Sequence, residues 1–125
     1  MNGRVGSERG SISVVVATGA AVVLVLTMGV ADVARALTAA ARARAAADAA
    51  ALAAAQELAF PSGSTPIEIA AAYAEANGGR LETCACASGT FTADVEVSVP
   101  VGPMFLSTDD RVATGRARAV VDLPG

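Results

Sequence analysis

The chain contains no histidine, no lysine and no tryptophan, and only two cysteines. Each absence excludes some chemistry. Without histidine, the commonest general base and the commonest metal ligand are missing. Without lysine there is no Schiff-base nucleophile and no P-loop phosphate binder. Positive charge comes from nine arginines, set against twelve acidic residues, for a formal net charge of −3. A protein that neutralises nucleic-acid phosphates needs a basic face, so no nucleic-acid partner is expected. Aromatics make up 3% of the 125 residues while apolar residues reach 54%, much of it alanine. Alanine buries little area, so the expected soluble core is thin and anchored by Phe60, Tyr73, Phe91 and Phe105. A small core of this kind usually draws support from a membrane, a partner or a disulfide.

No Ser/His/Asp set, P-loop or glycine-rich nucleotide motif occurs. Asp94, Glu96, Asp109 and Asp110 read as solvated strand and loop charge rather than a metal site. The expectation is a non-enzymatic protein with no catalytic residue, no metal, no cofactor and no small-molecule substrate.

What the chain does have is a long apolar run. Ser11 to Ala31, SISVVVATGAAVVLVLTMGVA, carries no charge over 21 residues. At about 1.5 Å rise per residue, roughly 20 helical residues cross a hydrocarbon core about 30 Å thick. Glu8 and Arg9 bound the run on one side, Asp32 and Arg35 on the other. In lipid every backbone group must bond internally, so the valines are expected to be helical. Membrane lipid is therefore the first expected partner. The arginines flanking the run, Arg4 and Arg9 before it and Arg35, Arg42 and Arg44 after it, do not decide its orientation. The rival reading is a cleaved secretory signal ending at Ala34-Arg35-Ala36, which would release a secreted binding module.

Residues 32–58 follow with no glycine or proline and many alanines, so one helix is expected from about Ser11 to Leu58. On its wheel Asp32, Arg35, Arg42 and Glu57 share one side, while Arg44 and Asp48 lie nearly opposite and pair at i, i+4. Its small side chains suit either a helix bundle or packing on its own domain. Asp32 reads as an ion-pair partner of Arg35 at i, i+3, or, with Arg35, as a helix–helix contact to a neighbouring subunit. Phe60-Pro61-Ser62-Gly63-Ser64 breaks the helix. Thr65-Pro66-Ile67-Glu68 is a capping-box pattern that starts a short helix to about Asn77, with Ile69, Tyr73 and Ala76 as its apolar stripe.

The period then changes to two. Phe91, Ala93, Val95, Val97 and Val99 alternate with polar residues as one strand. Arg80–Cys86 and Arg111–Val121 are the strands expected on either side, with Pro100, Gly102 and Pro103 opening the longer loop. The fold class is α+β: a long N-terminal transmembrane helix continuing into an alanine-rich helix, a short second helix, then a small antiparallel sheet of about three strands. The expected divisions are a cytoplasmic leader (1–10), a transmembrane helix (11–31), its extension (32–58) and a small α/β head (59–125).

Cys84-Ala85-Cys86 lacks the further ligands a zinc site needs and lacks C-x-x-C redox spacing. In a regular strand, side chains at i and i+2 stand near 7 Å apart, beyond easy bridging. A bulged local disulfide and pairing between molecules both remain open, and either suits an oxidising exterior.

The run from Glu8-Arg9-Gly10-Ser11 through Asp32 and Arg35 to Ala46-Ala47-Asp48-Ala49-Ala50-Ala51-Leu52-Ala53-Ala54-Ala55 resembles TadE/TadG-like proteins of the Flp (tight adherence) pilus system, of the short actinobacterial type. The resemblance implies a pilin-like fold and a minor pilin or pseudopilin subunit of a pilus or secretion apparatus. Its partners would be other pilin-like subunits or apparatus proteins. It would be single-pass in the bacterial cell membrane, with its head extracytoplasmic, up to the cell surface. The resemblance also implies cleavage by a prepilin peptidase between Gly10 and Ser11. Val15 stands where the pilin pattern places a glutamate. A third reading, a membrane-bound regulator of a secretion ATPase, would put the sheet in the cytoplasm.

Overall fold

The computed structural model describes residues 4–124, so the first three residues of the expected leader lie outside the described residues. The elements are α1 (Arg4–Ala59), α2 (Pro66–Ala76), β1 (Arg80–Ala85), β2 (Thr92–Pro100) and β3 (Val112–Val120). This is the α+β order read from the sequence. Helix α1 has 56 residues, about 84 Å at the usual rise.

Local chemistry sets the boundaries. α1 ends at Ala59, because Pro61 disfavours helical backbone at Phe60 and offers no N–H of its own. α2 begins with the reciprocal box: Thr65 Oγ1 accepts the Glu68 N–H at 3.3 Å, and the Glu68 carboxylate accepts the Thr65 N–H at 3.0 Å. Pro66 fills the first turn, where its missing N–H costs nothing. Past the cap residue Asn77, Gly78 takes a φ of +78° and turns the chain into β1.

The sheet is an antiparallel meander in the order β1-β2-β3. Cys84 stands opposite Val95, and Gly115 opposite Val97. The register of β1 slips between Leu81 and Thr83, which leaves Glu82 as a bulge whose carboxylate accepts the Ser98 hydroxyl at 2.5 Å. On the outer face of β2, Asp94 and Glu96 lie directly opposite Arg118 and Arg116 and pair with them at 2.7 and 2.5 Å. Exposed pairs add little stability. Their register is the one that buries Ala93, Val95, Val97 and Val99 on the other face.

The C-terminal half of α1 lies across β2 and β3, and α2 fills the corner between α1 and β1. The core is made of small residues: Ala46, Ala47, Ala50 and Ala54 from α1, Ala70 and Ala74 from α2, and Ala93, Val95 and Val97 from β2. Among the described residues, Val97 is the largest side chain buried completely. This corrects the expected aromatic core. Phe60, Tyr73, Phe91 and Phe105 are 68%, 51%, 43% and 56% exposed.

The reason is the helix-to-sheet distance. A methyl group added at Gly115 would overlap the Ala43 carbonyl, and one at Gly79 would overlap Val97 and crowd Ala46. With backbones this close, no ring fits between them. The same proximity shifts the buried stripe of α2 from the expected Ile69, Tyr73 and Ala76 to Ala70 and Ala74. One face of the alanine-rich segment is thus taken by the chain's own head.

Candidate functional site

The remaining length of α1 has no such cover. Every residue from Arg9 to Thr27 is exposed, and the valines and leucines of this stretch point outward all round the helix. By length and composition α1 is long and apolar enough to cross a membrane. The hydroxyls of Thr18 and Thr27 donate to the carbonyls of Val14 and Val23, each at 2.8 Å, so both threonines on this surface are satisfied within the helix. Lipid requires that of a spanning segment. Gly10 and Ser11 sit in continuous helix, exposed, with open space where a side chain at residue 10 would stand.

Where the bare segment ends, the loop between β2 and β3 comes back along α1. Asp32 Oδ1 accepts the Phe105 N–H and Oδ2 accepts the Leu106 N–H, both at 2.8 Å. Asp32 is only 5% exposed. The Phe105 N–H holds its carboxyl below the usual carboxylate range; burial opposes this, while the Leu106 N–H and nearby Arg35 add to it. Arg35 donates to the Pro103 carbonyl, and its guanidinium lies 4.7 Å from the centre of the Phe105 ring. The expected Asp32–Arg35 ion pair does not form; both side chains bind the loop. The Arg44–Asp48 pair does not form either: the ion pairs among the described residues are the two on the sheet.

At the far end of the same helix face, Glu57 does a similar job. Its Oε1 accepts the Ser62 N–H at 2.6 Å, and its Oε2 accepts the Ser62 hydroxyl at 2.8 Å. The Ser62 N–H does most to lower the Glu57 carboxyl; the hydroxyl helps, burial opposes, and the N–H groups of Ser64 and Gly63 add. The wheel put Asp32 and Glu57 on one side, and the structure explains why. The two carboxylates bracket the alanine stripe and tie the loops at either end of the head to α1.

Cys84 and Cys86 are joined by a disulfide with their α-carbons 5.4 Å apart. A regular strand would hold i and i+2 farther apart. Here β1 ends at Ala85, so Cys86 lies just past the strand, free of its extended geometry. The bulge in β1 falls earlier, at Glu82. Both cysteines are half-buried against the edge of the alanine core. Among the described residues, no group of three or more His, Cys, Asp or Glu side chains gathers around a point where a metal ion could sit.

The loop's hold on Asp32 has no local sequence signal. The clue that was present is the apolar run Met104-Phe105-Leu106 in the connection between the two strands. No curated protein and no solved structure matches the chain. The long helix is the part that is recognised: residues 10–57, from the bare segment to the last alanines of the packed stripe, match the family model described as putative Flp pilus-assembly TadE/G-like.

Proposed function

We propose that this chain is a membrane-anchored, pseudopilin-like structural or assembly subunit of a Flp-type pilus or a related secretion apparatus, with no catalytic role. The observation that carries the reading is the bare apolar half of α1, which projects from the head with no packing partner among the described residues, within the stretch that is TadE/G-like. Residues 11–31 lie in the membrane, residues 1–10 are the cytoplasmic leader, and the head of residues 59–125, packed on the extension of residues 32–58, lies outside the cytoplasm. The Cys84–Cys86 disulfide supports that orientation, since such bonds persist in oxidising compartments. Its partners are lipid and the helices of other pilin-like subunits or apparatus proteins. The exposed side of α1 opposite the head, with Arg44, Asp48 and Leu52, is the surface left for them. Cleavage between Gly10 and Ser11 would free the helix for assembly.

N-terminal sequencing of the protein recovered from bacterial membranes tests this. A start at Ser11 is expected for a processed subunit, and a start at Met1 for an unprocessed anchor. A start near Leu37, with the protein in the medium, would mean signal-peptidase release of a secreted module and would overturn the proposal.

A further inference from the structure

We infer that the β2–β3 loop is a second membrane-contacting element, with Phe105 and Leu106 embedded at the outer lipid boundary beside α1; this rests on the reading of residues 11–31 as a membrane span. The sequence ends the apolar run at Asp32 and Arg35, but on the folded surface the Asp32 charge is masked and the Arg35 charge is drawn towards the loop. Asp32 is 5% exposed beneath the loop, its two oxygens taken by the amides of Phe105 and Leu106. Arg35 is half-buried and turned to the Pro103 carbonyl and the Phe105 ring. What the loop turns outward instead is apolar: Phe105 and Leu106 are 56% and 60% exposed.

Their height along the helix identifies the occupant. The end of the Leu106 side chain would lie 3.7 Å from a β-carbon at Gly29, two residues inside the apolar run. Leu106 also closes an apolar groove along α1 with Leu26, Val30, Val33 and Leu37. Val30, Val33 and Leu37 share one helix face at i, i+3 and i+7. On that face the apolar surface continues past Ala31 to Leu37, by about 9 Å. A lipid acyl chain fits this groove, because it is continuous with the surface of the span. After Leu106 the chain turns polar at once through Ser107, Thr108, Asp109 and Asp110, as it would on leaving the interface. Arg35 stacked on Phe105 is suited to the headgroup level, where an amphipathic side chain keeps its charge wet.

The absence of tryptophan makes the test direct. Single-tryptophan full-length chains are reconstituted in phosphatidylcholine/phosphatidylglycerol vesicles, with and without brominated phosphatidylcholine. Val22→Trp reports on the middle of the span. Phe105→Trp and Leu106→Trp report on the loop. Phe91→Trp, one strand length from the loop, reports on the far end of the head. The expected result is blue-shifted, severalfold-quenched emission for the Val22, Phe105 and Leu106 variants and unquenched emission for the Phe91 variant. Quenching of the Val22 variant with both loop variants unquenched would overturn the inference and leave the anchor standing. An unquenched Val22 variant would overturn the anchor and the inference together. Retained quenching of the Leu106 variant supports the inference even if Phe105→Trp disturbs the Arg35 stack, because Leu106 takes no part in that stack.

Discussion

Gly115 of β3 rests directly on the backbone of Ala43 in α1, so close that a methyl group at residue 115 would overlap the Ala43 carbonyl. Gly115→Ala must push β3 off the helix, and every small-residue contact along that seam opens with it. Overpacking against flexible side chains costs about 1–3 kcal/mol, and backbone yields less readily. The expected loss is at the upper end of that range, against little change for the exposed neighbouring variant Thr114→Ala. Hydrogen exchange of the β2 and β3 amides in detergent-solubilised protein reads both values.

That contact also separates what could be read from the sequence from what could not. Helix, turn and strand limits follow from neighbours in the chain: the Thr65-Pro66-Ile67-Glu68 box, the Pro61 break, and the alternation ending at Val99. Each was legible because its cause is local. The core was not. Alternation says which strand face is apolar, but not how far away the opposing helix lies, and that distance decides whether a phenylalanine or an alanine is inside. The spacing comes from Gly115, Gly79 and the alanines together, a property of two surfaces meeting rather than of either segment. Asp32 is the parallel case at the candidate site. Its partners lie 73 and 74 positions away, so an i, i+3 pairing with Arg35 was the only local reading on offer.

Asp32 presents two acceptor oxygens to two loop amides. Asparagine keeps the shape but replaces one acceptor with a donor, which would face an N–H. Asp32→Asn should therefore lower hydrogen-exchange protection at one of the Phe105 and Leu106 amides, and Asp32→Ala at both. Protection in β1 should stay as it was, because that strand lies at the opposite edge of the sheet. Unchanged protection at Phe105 and Leu106 in the alanine variant would mean the loop is held by its apolar contacts alone.

The Cys84–Cys86 bond closes a loop with a single residue between its ends. Chain entropy makes such a short cross-link weak, about 1.5 kcal/mol. Denatured, non-reduced protein should show no free thiol. Reduction, or the double variant Cys84→Ala with Cys86→Ala, should lower the head's stability by about that amount without unfolding it. A thiol count of two in the native, non-reduced protein would contradict the bond.

Acid should loosen both ends of the head. Glu57 is held below its ordinary range chiefly by the Ser62 N–H, and Asp32 chiefly by the Phe105 N–H. A carboxyl whose folded pKa is depressed adds stability that is complete above its unfolded pKa, about 4.3 for glutamate. That contribution is lost progressively as the pH falls from the unfolded value through the lower folded one, because over that range the unfolded chain binds a proton that the folded state excludes. Stability to guanidinium should therefore be flat from about pH 7 to about pH 5 and fall below the unfolded carboxyl range. Glu57→Gln removes one of the responsible groups, so its stability should be lower at neutral pH and its acid decline shallower. The Ser62 amide should also lose protection in that variant at neutral pH, while the Phe105 and Leu106 amides keep theirs until Asp32 itself is protonated. An acid decline as steep in Glu57→Gln as in the parent would assign the pH dependence to other carboxyls.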